Sequence, residues 1–284
     1  MKSLIALSLI ALALAGCARI ERRGKSPLPP LRMSQESVTV EKLSVRFPYG
    51  DEDLNGPLWN DVDEQCFSPE LRRRLAANGL RAGLVGSQLP TALDRLLAPQ
   101  GPPRSPTPTS EVDLVNEPTV LRGLVQTRSG QRSLVIVAGE RERIPELALL
   151  VRGDDGQVSG RTFHGAAGVL AMRFFPQGDG RTRVEIIPEL QHGEPKQELV
   201  AGPGMFRYEF APPTEVFHDL RLETPLAPGQ MILLTCLPNR PGSLGHHLFT
   251  EEVAGQPKQQ KMLLFRLAHS PLDDRYSTES PPPQ

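Results

Sequence analysis

The sequence predicts an α+β fold, with a small N-terminal α/β module over residues 38–97 followed by a mainly antiparallel β domain over residues 119–270. In the first segment the residue patterns run strand, helix, strand, helix. In the second, short runs with the two-residue period of β-strands follow one another between glycine-rich turns. A proline-rich stretch, residues 98–118, separates them, and its composition predicts a linker at a domain boundary.

The first strand shows apolar residues at alternate positions, with one change of phase. These residues are Val38, Val40, Leu43, Val45 and Phe47. Strict alternation is typical of a half-buried strand, so the change of phase predicts a β-bulge near Glu41 and Lys42.

The helix signals of the module follow in order. Ser68 can accept a hydrogen bond from the first free amides of a helix, and Pro69 suits the first helical position because that position needs no N–H donor. Asn78 and Gly79 predict the end of this helix. A short strand is expected over residues 80–85, and Pro90 opens a second short helix.

The β domain contains ten candidate strands separated by turn residues. The turns are Ser129-Gly130, Gly153 to Gly156, and Gly178 to Gly180. Many short strands joined in this way favour an antiparallel sandwich or a related β fold. The candidate strands are 119–127, 132–138, 146–152, 157–164, 168–175, 181–190, 204–210, 215–223, 230–237 and 260–268.

The N-terminus has the pattern of a lipoprotein signal peptide, residues 1–16. Lys2 precedes an apolar run from Leu4 to Leu14 that is too short for a permanent bilayer-spanning helix. The tetrapeptide ending at Cys17, Leu-Ala-Gly-Cys, resembles the lipobox of bacterial lipoproteins. That resemblance implies cleavage before Cys17 and attachment of a lipid to its thiol. An ordinary secretory signal and an uncleaved anchor are the alternatives.

Ala18 follows the lipobox cysteine, where an Asp would direct inner-membrane retention. By resemblance to that sorting rule, we expect a membrane-anchored protein on the periplasmic face of the outer membrane. Residues 17–37 are basic and proline-rich, which predicts an extended tether that contacts anionic head groups or is simply solvated. Residues 271–284 are polar and rich in proline, so a disordered tail is expected.

Composition narrows the function. The chain carries a formal net charge of −1, so its overall electric field does not attract nucleic acid, and nucleic acid is not expected as a partner.

Cys66 and Cys236 remain after lipidation of Cys17, in a compartment that permits disulfides. They can join as a disulfide between the module and the β domain, or Cys236 can stay a buried free thiol.

Catalytic and metal motifs are weak. The pair His246-His247 is adjacent, so on a strand its side chains would point to opposite faces and could not share one metal. Acidic residues in glycine turns are typical of hairpins rather than of calcium sites. Trp59 beside acidic residues marks either a recognition surface or a core position. We therefore expect no cofactor. The acidic residues considered are Asp154, Asp155 and Asp179 in the turns, and Asp61, Asp63 and Glu64 near Trp59.

Three segments resemble parts of secretins, the envelope proteins that assemble into rings. Residues 68–97 are similar to a periplasmic N-domain, with a helix, a glycine, a strand and a second helix. Residues 184–193 and 226–234 are similar to strands of the secretin domain. The β domain is short and lacks an amphipathic lip helix, so the resemblance implies an interaction module rather than a pore.

These observations predict a non-enzymatic, lipid-anchored envelope protein that acts as a protein-interaction module, with an envelope protein as partner or with self-assembly in a secretin-like complex. The alternative is a periplasmic metal-dependent hydrolase whose metal would be held by separated histidines.

Overall fold

Two antiparallel sheets lie face to face, and short helices cover the outer face of one of them. We analysed a computed structural model of the chain, which describes residues 37–97, 120–140, 142–153, 156–202, 205–252 and 257–271. The predicted α+β class, dominated by antiparallel strands with the longest helices near the N-terminus, is confirmed.

Sheet A has six strands. In spatial order they are β2 (Leu80–Val85), β12 (Met231–Cys236), β14 (Gln259–His269), β1 (Ser37–Pro48) and β3 (Val120–Arg128), with β13 (Thr250–Glu251) beside one end of β14.

Sheet B also has six strands. In spatial order they are β10 (Thr214–Val216), β7 (Thr182–Gln191), β6 (Val158–Pro176) and β4 (Ser133–Ala138), with β11 (Leu222–Leu226) beside β7 and β5 (Ile144–Arg152) beside β6. A separate hairpin consists of β8 (Lys196–Gly202) and β9 (Met205–Ala211).

The described helices are short. They are α1 (Glu52–Asn55), α2 (Pro69–Ala77), α3 (Thr91–Leu97) and α4 (Leu244–Phe249), with 3₁₀ turns at Pro57–Asp61, Glu64–Cys66 and His218–Leu220. The local signals of α2 are confirmed, because the Ser68 hydroxyl accepts from the Leu71 amide at 3.2 Å and Pro69 is the first helical residue. Gly79 ends the helix with a φ of 71°.

Strands from the predicted module and from the predicted β domain share sheet A. Leu80 of β2 pairs with Cys236 of β12, and Val45 of β1 pairs with Met262 of β14. The described residues from Ser37 onward belong to one compact unit. Strands of the two predicted segments are therefore packed in the same sheet, and the division at residues 98–118 stays a prediction. Residues 98–118 themselves lie outside the described residues.

Contacts at the end of α2 reinforce this joint packing. The Gly245 amide of α4 donates to the Asn78 carbonyl at 2.9 Å. A Cβ atom at Gly245 would lie 1.9 Å from the Gly79 carbonyl oxygen, so only glycine permits the approach.

The predicted bulge at Glu41 and Lys42 is wrong. The irregularity in the pairing of β1 with β14 lies between Thr39 and Val40. The change of phase has another cause: Val40 packs between the sheets, whereas Leu43 packs under the helices on the opposite face. Because both faces of β1 are buried, each face contributes its own set of apolar residues.

Several predicted strands have different bounds. The candidates 157–164 and 168–175 are one continuous strand, β6, whose first part pairs with β5 and whose second part pairs with β4 and β7. Gly165, with a φ of 57°, lies between the two parts and lets the chain change direction without ending the strand. The candidate 215–223 comprises β10, a 3₁₀ turn and the start of β11.

Two apolar clusters form the core. The larger joins the facing sides of the sheets and includes Phe265 of β14, Ile186 of β7 and Phe249 of α4. The second lies between sheet A and the helices, and includes Leu264 of β14 and Leu93 of α3. The central strands of sheet A, β12 and β14, are therefore buried on both faces.

Candidate functional site

The predicted lipid-attachment residue, Cys17, lies outside the described residues, as do the signal peptide and the tether up to residue 36. No helix among the described residues combines the length and the apolar character needed to cross a bilayer.

The two remaining cysteines are free thiols, so the disulfide between Cys66 and Cys236 is not formed. Cys236 is fully buried, with its Sγ atom 3.8 Å from the Phe249 carbonyl oxygen. Cys66 is partly buried and contacts the Asp63 carbonyl at 3.2 Å. Burial raises the pKa of Cys66 to about 11 and that of Cys236 to about 12. Both groups are therefore protonated at neutral pH, which is unfavourable for nucleophilic chemistry.

The histidine pair lies in helix α4 and not on a strand. The His246 Nε2 atom is 2.8 Å from the Lys258 ammonium nitrogen, which also lies 4.7 Å from the Tyr49 ring centre. Burial, followed by the charge of Lys258, lowers the pKa of His246 to about 4. The His247 Nε2 atom is 2.9 Å from the Ala148 carbonyl oxygen. One ring nitrogen of each histidine is therefore in contact with another group of the protein.

Within the described residues no group of three or more His, Cys, Asp or Glu side chains is placed to hold a metal ion. Asp154 and Asp155 lie outside those residues. The Asp179 carboxylate accepts from the Arg181 guanidinium at 2.7 Å inside its turn, in agreement with the hairpin interpretation.

Trp59 occupies the core rather than a recognition surface. Its side chain is buried, and its ring N–H donates to the Leu54 carbonyl at 3.0 Å. The Arg81 guanidinium lies 4.0 Å from the ring centre and binds Glu64 at 2.8 Å. The guanidinium therefore covers one face of the buried ring.

The most distinctive exposed feature is the β8–β9 hairpin. Its two strands pair only with each other in the described part of the chain, so each has one open hydrogen-bonding edge. Tyr208 is 68% exposed and Phe210 is 74% exposed. These residues are two positions apart on β9, so their side chains project from the same face.

Sequence patterns had indicated only part of this hairpin. A strand at residues 204–210 is among the candidates predicted from the sequence, whereas β8 is not. Its sequence, Lys-Gln-Glu-Leu-Val-Ala-Gly, lacks the alternating apolar pattern on which the strand assignments were based. The exposure of the aromatic side chains could not be seen in the pattern at all.

The sheets also have open edges that carry apolar side chains. Strand β3, at one edge of sheet A, exposes 74% of Leu124. On β4, at an edge of sheet B, Leu134 is 45% exposed and Ile136 is 43% exposed. Open strand edges with apolar residues favour pairing with another chain.

The chain matches no protein-family model, and a search of curated proteins finds no match.

Proposed function

We propose that the protein is a non-enzymatic, lipid-anchored protein of the bacterial cell envelope that assembles with further copies of itself through the β8–β9 hairpin. The observation that carries this proposal is the exposure of Tyr208 and Phe210 on a hairpin with two open edges. A two-stranded hairpin is only marginally stable in water by itself, so pairing with further strands would stabilise it.

A second copy fits this surface better than a strongly charged partner would. Strand β8 contains Lys196 and Glu198, and strand β9 contains Arg207 and Glu209, so each strand has no formal net charge. Two hairpins therefore approach without overall repulsion. The β8 edge of one copy can pair with the β9 edge of the next, and such a head-to-tail contact closes into a ring when the rotation per copy permits it. The resemblance to secretin segments agrees with this arrangement.

Light scattering of the purified, detergent-solubilised protein tests self-assembly. We expect the unchanged chain to form large oligomers, and a Tyr208→Ser, Phe210→Ser variant to shift to the monomer. Val158→Ser is a matched control, since Val158 is 49% exposed on β6 and lies outside the hairpin. A monomeric unchanged chain, or equal loss of oligomers in the control, would contradict the proposal. Stoichiometric zinc in the purified protein would favour the hydrolase instead.

The lipid anchor is tested separately. We expect Cys17→Ser to abolish incorporation of radioactive palmitate and to release the protein from the membrane fraction, because several acyl chains are needed for stable anchoring. Unchanged labelling of this variant would show that the lipid is attached at another residue. Fractionation of the unchanged protein into outer and inner membranes tests the proposed location on the periplasmic face of the outer membrane.

A further inference from the structure

A groove lined by four arginines lies between helix α2 and the edge of sheet B. It consists of two adjoining cavities of about 420 Å³ each, both of which are lined by Arg74, Arg152 and Gly153. Arg73 completes the basic lining on the helix side, and Arg161 completes it on the β6 side. The 3₁₀ turn at His218–Leu220 also lines the groove.

A single buried side chain fixes the two walls against each other. The Asn78 amide nitrogen donates to the Arg74 carbonyl at 3.0 Å and to the Arg152 carbonyl at 3.2 Å. The Arg152 backbone N–H donates to the Asn78 side-chain oxygen at 3.1 Å. Asn78 is only 5% exposed. The backbones that carry Arg74 and Arg152 are therefore held at a fixed separation, which reduces the ordering cost of binding a ligand between them.

Acidic side chains in the groove neutralise part of the positive charge of its arginines. Glu70 binds Arg73 at 3.3 Å, and Glu215 binds Arg161 at 2.5 Å. Asp219 also lines the groove. The Arg152 guanidinium has a different kind of partner, since it donates to the Gly156 carbonyl at 3.3 Å in an exposed position. A neutral carbonyl at that distance is a weaker partner than an oxyanion, so an anionic ligand can replace it.

From this geometry we infer that the groove binds a phosphate group. Guanidinium groups form paired hydrogen bonds with oxyanions, and here they approach from the helix and from two strands. A planar carboxylate can be satisfied by one guanidinium, whereas the oxygens of a phosphate point in several directions and can use groups on different walls. The groove is distinct from the β8–β9 hairpin, so the inference does not depend on self-assembly.

Titration calorimetry of the detergent-solubilised, full mature chain with inorganic phosphate tests the inference. We expect saturable millimolar binding that weakens with added salt. In an Arg74→Gln, Arg152→Gln variant we expect affinity to fall by at least about tenfold, the equivalent of one lost charged hydrogen bond. Arg128→Gln, which removes an exposed arginine from β3, is a matched control that should bind like the unchanged chain.

Two further measurements keep the result unambiguous. An Arg74→Lys, Arg152→Lys variant keeps the charges but lacks the paired donors, so we expect intermediate affinity. Competition by glycerol 1-phosphate or by phosphatidylglycerol micelles shows whether the phosphate belongs to a soluble ester or to a lipid head group. Absence of saturable phosphate binding, tighter binding of succinate than of phosphate, or equal weakening in Arg128→Gln would overturn the inference.

Discussion

The two sheets have the same number of strands and the same antiparallel pairing, but their outer faces differ. The outer face of sheet A is covered by α1, α3 and a 3₁₀ turn, and apolar residues fill the space between them. The outer face of sheet B has no such cover among the described residues. There, Leu134 and Ile136 stay exposed beside Arg–Glu pairs.

This difference explains the residue patterns of the strands. In β12 every residue from Met231 to Cys236 is buried, because one face meets sheet B and the other meets the helices. In β4 buried and exposed residues alternate, because only one face meets the core. A continuous apolar run thus indicates a covered sheet, and alternation indicates a sheet with one free face.

The largest expected effect contrasts one leucine from each outer face. Leu264 of β14 is fully buried under the helices, so Leu264→Ala should lower the free energy of unfolding by about 2–5 kcal/mol. Leu134→Ala on β4 removes the same atoms from an exposed position and should change it by less than about 0.5 kcal/mol. Urea unfolding of both variants measures the difference. Equal losses would mean that sheet B is covered too.

A smaller effect is expected from the ion pairs of sheet B. Glu189 is 3% exposed and binds Arg132, so Glu189→Gln should cost about 1–2 kcal/mol of unfolding free energy. Glu215→Gln is the matched control, because the Glu215–Arg161 pair is more exposed and should contribute about 0–1 kcal/mol. Added salt should reduce the Glu215 effect more than the Glu189 effect. The opposite ranking would show that burial does not determine the strength of these pairs.

The pH dependence of stability tests helix α4, which contacts strands of both sheets. The pKa of His246 is lowered to about 4 in the folded protein from an ordinary value of 6.5. Between these values the unfolded chain binds the additional proton, so stability should fall as the pH decreases from about 6.5 to about 4. The loss of stability that is due to protonation of His246 should be absent in His246→Gln. His164→Gln, which replaces an exposed histidine, is the control and should retain it.

The smallest expected effect is on thiol reactivity. At neutral pH both thiols are protonated, so alkylation of the folded protein should be slow at Cys66, which is partly exposed, and undetectable at buried Cys236. In urea both should react rapidly. Mass spectrometry of alkylated peptides counts the modified sites. A peptide that links Cys66 to Cys236 in non-reduced material would instead support the disulfide.

Local signals in the sequence were sufficient for many elements. The cap at Ser68, the first-turn proline at Pro69 and the strand at 80–85 have the expected positions. Gly130 and Gly180 adopt the positive φ values of 71° and 80° that their predicted turns require. Each of these features depends on residues within a few positions of one another, so the chain itself carries the necessary information.

Other features of the structure depend on residues that are far apart in the chain, and the sequence patterns do not show them. The change of phase in β1 suggested a bulge, because the sequence does not show that both faces of the strand are covered. The composition of residues 98–118 predicts a linker, but it does not show that β2 pairs with β12. Likewise, the arginine groove combines a helix near residue 74 with strands near residues 152 and 161.

The sequence by itself determined the fold class, most strands and turns, and the lipobox pattern that predicts an anchor at Cys17. Only the tertiary structure decided which strands are neighbours, which sheet face is covered, that both remaining cysteines are free and that Tyr208 and Phe210 are exposed. The physical reason is that periodicity, capping and turn formation are governed by neighbouring residues, whereas strand pairing and burial depend on contacts between distant parts of the chain.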